Sequence, residues 1–283
     1  LDQFGYEALA ETIISRFLEK SDISFPFAKY EMERLNVHGR ERTGCSSDNF
    51  LKDGESIITL SHLFSRNLGG SLKEALEKLP SDKKRIQYLA EETANITNLQ
   101  KFPEYLTLLF EIDALFLNDD RHLNNIAVIE KNGKFDYCPI FDNGAALLSN
   151  IQLSPMDIDP KGLIKNVVAR PFNTSFTRQM NTARALFGKQ LVMPQITEKE
   201  IITERYFKIS VGSSRIICIK ELVVVGVIWQ EFVNVVSLHC IVVFNRDLYL
   251  FLGFHSVFVD KCKLTVYKNI QNVVAGMLSA DNF

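Results

Sequence analysis

A chain of 283 residues, 46% hydrophobic and 23% charged, can bury a sizeable core and is too apolar to be intrinsically disordered. Its 32 basic and 34 acidic residues give a formal net charge of -2, without the basic excess that phosphate-backbone binding requires, so nucleic acid is not expected as the main partner. The five cysteines, Cys45, Cys138, Cys218, Cys240 and Cys262, are scattered and form no CxxC pair, which points to free thiols in a reducing cytoplasm.

Leu1 to Lys20 carry neither the basic start nor the apolar run of a secretory signal. Apolar residues instead recur at helical spacing from Tyr6 to Leu18, with Leu9, Ile13 and Phe17 on one stripe, which predicts a packed helix ending before Pro26. With a helix so early and no initiating methionine, the chain is expected to be a fragment lacking an upstream part. Phe25–Tyr30 and Glu55–Leu60 are β-rich runs on either side of a polar stretch holding Gly39, Gly44, Ser46, Ser47 and Gly54. They predict a strand, a long turn and a second strand, forming a small sheet beside the helix. After Leu60 the pattern is helical: Ser71–Leu79 with Ser71 as cap, Lys83–Asn95, and a strongly apolar Tyr105–Leu117. Ile126–Glu130 and Phe135–Phe141 flank Lys131-Asn132-Gly133-Lys134, and the Asn-Gly pair predicts a tight β-hairpin. Phe176–Gly188 reads as a helix closed by its glycine. From about Ile201 the texture shifts to β-branched runs, Leu222–Ile228 and Ile241–Phe244. Leu222–Phe244 is apolar enough for a membrane span, but Gln230 and Glu231 sit at its middle, where charge is costly; buried strands or helix are expected and a membrane is not.

The residues that carry chemistry lie around the hairpin. Asn118-Asp119-Asp120-Arg121-His122-Leu123-Asn124-Asn125 precedes it, and Phe141-Asp142-Asn143-Gly144 follows it, so the hairpin should bring the two segments together. Phosphoryl transfer needs a carboxylate near the attacking hydroxyl and oxygen ligands that hold Mg²⁺ against nucleotide phosphates. Asp120, Asn125 and Asp142 supply that set: Asp120 to orient or deprotonate the hydroxyl, Asn125 and Asp142 to hold the metal. An acidic loop of this kind is otherwise a solvated, locally capped turn.

Asp-x-His-x-x-Asn at Asp120, His122 and Asn125, followed by a hairpin and Asp142, resembles the HipA-like serine/threonine kinases. Asp-Arg-His-x-x-Asn is also similar to the phosphoinositide kinases. The resemblance extends loosely from Gly5-Tyr6-Glu7-Ala8-Leu9-Ala10-Glu11 through Gly44-Cys45-Ser46 to about Gln195. It implies an α+β, protein-kinase-like fold, with a partial N-lobe and inter-lobe linker over residues 1–60 (a helix plus a small antiparallel sheet), a mainly α-helical catalytic C-lobe over 61–195, and an apolar tail of other origin over 196–283. It further implies ATP and Mg²⁺ as cofactors, Asp120 as catalytic with His122 supporting the loop, and Asn125 and Asp142 as metal ligands. In the family a helix glutamate pairs with a strand lysine that holds the α- and β-phosphates; Glu7 or Glu11 would be that glutamate. Ile57, Ile58 and Thr59 fall where the linker would offer backbone groups to adenine. The family's glycine-rich phosphate loop and its strand lysine are not visible, because the chain starts at the helix that should follow them. The acceptor implied is a protein serine or threonine. The alternatives are a truncated, non-catalytic kinase-like binding protein acting through a regulatory partner, and a lipid or small-molecule kinase.

Overall fold

The protein is seen in a computed structural model that describes residues 1–155 and 157–192. The expected runs after Ile201 lie outside the described residues, as do Cys218, Cys240 and Cys262; Cys45 and Cys138 are free thiols. The chain divides into two compact units, Leu1–Leu153 with Val167–Gln195, and Ser154–Asn166 with Ile196–Phe283. The second contributes here only the short helix α6, Pro160–Ile164. The architecture of the first is mixed α/β, with small antiparallel sheets and several helices.

Its helices are α1 (Glu7–Lys20), α2 (Leu60–Leu68), α3 (Leu72–Glu77), α4 (Asp82–Thr97), α5 (Phe102–Phe116) and α7 (Phe176–Phe187). Four of them start on a hydroxyl that accepts a backbone N–H of the first turn: Thr59 from His62, Ser71 from Glu74, Ser81 from Lys84 and Ser175 from Arg178. The centre is α5, in which every residue from Tyr105 to Phe116 is buried. A helix apolar all round belongs inside a fold, where each large aliphatic side chain contributes about 1.5–3 kcal/mol by burial. Phe17 of α1 meets Phe116 edge-on at 5.0 Å, and Phe110 meets Phe172 at 6.1 Å. Against α5 also pack α4, through a stripe of Ile86, Leu89, Ala90, Thr93, Ala94 and Thr97, and α7.

Two acidic side chains buried inside α5 need partners, since an unpaired buried charge is strongly unfavourable. Glu111, wholly buried, accepts from Arg184 Nε on α7 (2.6 Å) and from the backbone N–H groups of Gln190 and Leu191. Asp113 is taken up by the site described below.

The strands differ from expectation. Phe25–Tyr30 is not a strand: it makes a single parallel bridge, Phe27 to Ile140, and Pro26 has no N–H with which to extend a ladder. The first hairpin lies within the stretch expected to be a long turn, as β1 (Glu31–Val37) and β2 (Arg40–Ser46) in register from Glu31↔Ser46 to Val37↔Arg40. His38 and Gly39 close it with φ of 51° and 76°, the two-residue turn that matches strand twist. Of these strand residues only Gly44 is buried, so neither face shows the alternation by which a strand is recognised. The β3 strand (Ser56–Thr59) belongs to another sheet, ordered β3-β4-β5, with β4 at Ala127–Lys131 and β5 at Lys134–Tyr137. The expected Asn132-Gly133 turn joins β4 to β5. Also unexpected was α2, which follows β3 without a break. No helix among the described residues is long and apolar enough to cross a membrane.

Candidate active site

At its C-terminus α5 ends on Leu117 in the left-handed region (φ 57°), and the chain turns into the loop Asn118–Asn125. The loop is wound tightly on itself: His122 N–H donates to Asp120 C=O (2.7 Å) and Asn125 N–H to His122 C=O (2.8 Å). Asp120 and His122 stand outward, with His122 Nε2 3.8 Å from Asp120 Oδ1. Because His122 Nδ1 accepts from Asn124 N–H (3.3 Å), the proton of the neutral ring sits on Nε2, the nitrogen facing the Asp120 carboxylate. Asn125 turns its amide nitrogen back onto Asp120 C=O (3.0 Å), which directs its oxygen Oδ1 away from that bond.

Between these outward groups Arg121 points inward and is fully buried. Its guanidinium grips Asp113 of α5 through Nε (3.2 Å to both oxygens) and Nη2 (3.1 Å). It also donates to Asn125 C=O (3.2 Å), to Phe141 C=O (2.7 Å) and to Asn143 Oδ1 (2.7 Å). The planar fork therefore binds the loop before the second hairpin to the segment after it, with a charge partner that meets the cost of burial.

The segment Phe141–Gly144 is fixed from the other side as well. Ala28 N–H donates to Ile140 C=O and Ile140 N–H to Pro26 C=O, each at 2.9 Å, so the chain enters Asp142 from a defined track. Asp142 itself is left-handed, at φ 57°, and its carbonyl accepts from Asn118 Nδ2 (3.3 Å). The next N–H, of Asn143, donates to Glu11 Oε1 on α1 (2.8 Å). Gly144 lies against the same helix: a Cβ there would come within 3.3 Å of Glu7 Cβ and 3.6 Å of Glu11 Oε1, so a side chain would press α1 away.

Electrostatically the site is short of cations. Partial removal from water raises the Asp142 carboxyl above its usual value; Arg121 and His122 oppose that rise and the charge of Asp120 adds to it, so the two carboxylates share one region. Burial pushes Glu11 up to about 7, with the Asn143 N–H bond opposing and Asp142 adding to the rise. Glu11 is 7% exposed and its Oε2 has no hydrogen-bond partner. Tyr30 is raised by burial and by the neighbouring Glu11.

Asp120, Asn125 and Asp142 thus stand at one locus, two before the hairpin and one after it, with His122 beside Asp120. The two glutamates of α1 separate clearly. Glu7 accepts the backbone N–H groups of Gln3, Phe4 and Gly5 and so serves the entry to its own helix; Glu11 faces Asn143 with one oxygen unpartnered. Ile57, Ile58 and Thr59 form β3, at the edge of its sheet. Leu60 N–H donates to Ile126 C=O (2.9 Å), so by antiparallel alternation the backbone N–H and C=O of Ile57 and the N–H of Thr59 face away from β4. The sequence reading missed Asp113, Asn118, Arg121 and Tyr30. One usable signal was present: an acid inside the apolar run Tyr105–Leu117 has to find a cation, and Arg121 is near in sequence.

No family model matches the chain, and no curated protein matches it. Among solved structures, the crystal structure of the Helicobacter pylori proinflammatory kinase CtkA is similar over 95% of this chain and 80% of its own, at 10% identity and a TM-score of 0.46. A likeness of that depth assigns no residue and no activity.

Proposed function

We propose that this chain carries the catalytic lobe of an ATP- and Mg²⁺-dependent phosphotransferase of the HipA-like type, which passes the γ-phosphate to a protein serine or threonine hydroxyl. The observation that carries the reading is that the buried Arg121 guanidinium ties the Asn125 carbonyl to the Phe141 carbonyl and the Asn143 side chain, the two neighbours of Asp142, so that the loop before the hairpin and the segment after it lie together. The oxygens of Asp120, Asn125 and Asp142 are the hard donors Mg²⁺ prefers. Such a set suits an ion held partly by nucleotide phosphates. When bound, the ion would neutralise charge on the phosphates during transfer.

In this reading Asp120, outward and beside His122 Nε2–H, orients the acceptor hydroxyl and takes up its proton. Asn125 Oδ1 and the Asp142 carboxylate hold the metal, and the outward backbone groups of Ile57 and Thr59 are available to an adenine edge. The unpartnered Oε2 of Glu11 is a place for a cation such as a lysine ammonium. Titration of the full chain with ATP, with and without Mg²⁺, tests the reading. Metal should tighten binding at least tenfold and Asp142→Ala should abolish that gain; a gain that survives Asp142→Ala sinks the assignment.

A further inference from the structure

The side chain of Asn118 is bonded on three sides. It is 1% exposed. Its Oδ1 accepts the backbone N–H of Asp120 (3.3 Å); its Nδ2 donates to Asp142 C=O (3.3 Å) and to Asp113 Oδ1 (3.1 Å). Its own backbone N–H donates to Asp113 C=O (3.0 Å), which seats the residue on the last turn of α5. One amide thus touches the main chain of both residues whose carboxylates define the two halves of the site, while standing on the rigid central helix.

We propose that Asn118 is the positioning residue that sets the spacing between Asp120 and Asp142, and so the fit of the metal between base and nucleotide; this rests on the phosphotransferase reading. The chemistry singles out asparagine. Bridging an N–H and a C=O requires an acceptor and a donor on one short planar group: aspartate lacks the donor, serine lacks the reach, and glutamine is a methylene longer. Arg121 cannot replace it, because Arg121 bonds to Asn125, Phe141 and Asn143 and reaches neither Asp120 nor Asp142 directly. Asp142 also sits at φ 57°, a region an aspartate holds only with support from its surroundings, and the Asn118 amide on its carbonyl supplies part of that support.

The test compares the full-length wild type with Asn118→Ala and with Leu89→Ala, a core truncation in α4 away from the site that controls for general destabilisation. Two readouts are taken. The first is ATP binding across a Mg²⁺ titration: Asn118→Ala should raise the half-saturating Mg²⁺ at least tenfold with metal-free ATP affinity within twofold of wild type, and Leu89→Ala should do neither. The second needs no nucleotide: hydrogen exchange at the Asp120 amide should quicken at least tenfold in Asn118→Ala and not in Leu89→Ala. An unchanged Mg²⁺ requirement in Asn118→Ala, where Asp142→Ala abolishes the metal gain, overturns the Asn118 proposal and leaves the phosphotransferase reading standing. A metal gain that survives Asp142→Ala sinks that reading, and this proposal with it. Should the wild type show no nucleotide binding, unchanged exchange at Asp120 still overturns the positioning role. If Asn118→Ala does not fold, Asn118→Ser, which cannot span the partners, is measured in the same way.

Discussion

Glu11 is a carboxyl whose ionisation this fold disfavours. An unfolded chain ionises it near 4.5, whereas burial in the folded state moves it to about 7. Below the unfolded value both states hold the proton and nothing is lost. Between the two values the unfolded chain gives it up and the folded one keeps it, so stability falls as pH rises, levelling off above 7 at a total of about 3 kcal/mol. Glu11→Gln keeps an acceptor for Asn143 N–H and removes the titration. Urea melts should therefore find it close to wild type at pH 4 and more stable by about 3 kcal/mol at pH 8; an unaltered pH slope would show that another group is responsible. At this scale a sequence names candidates rather than roles. The motif pointed to Asp120, Asn125 and Asp142, but could not separate Glu7 from Glu11, because both lie on the same amphipathic helix and only tertiary packing shows which is spent on local N–H groups.

Among the elements, helices were readable where burial is one-sided or total, and strands were not where burial is absent. The stripes on α1 and α4 and the apolar length of α5 gave their helices to within a few residues. The β4–β5 hairpin was marked by Asn132-Gly133. By contrast, α2 was hidden by the β-branched run of β3 that leads into it, and β1 and β2 were hidden because their side chains face solvent on both sides. A two-stranded ribbon with so little cover is marginal by itself. Amide exchange should reveal this: the β1–β2 ladder amides of Leu35 and Arg42, which face each other as a bonded pair, should exchange at least a hundredfold faster than those of Leu108 and Ile112 in α5. Equal protection of the two would mean that the ribbon is covered in solution by something further.

At the scale of the whole molecule, the site and the core are joined through one ion pair. Arg121 and Asp113 bind the end of α5 to both flanks of the β4–β5 hairpin, and both are out of water. Removing either partner strands the other. Arg121→Met or Asp113→Leu should each cost about 3–5 kcal/mol, while the double substitution should cost clearly less than the sum of the two. Strict additivity in equilibrium unfolding would count against the pair as the joint. The sequence could not reveal this connection: an arginine between an aspartate and a histidine in a polar loop looks solvated, and its burial depends on a carboxylate turned inward from a helix that otherwise reads as continuous apolar core.

Glu111 has a mechanical consequence of its own. By holding Arg184 and the main chain at Gln190 and Leu191, it works like the clamp that anchors a cable where it leaves a housing. A pull on the polypeptide beyond Val192 is met by the central helix before it can reach the loop of Asp120 or the turn of Asp142.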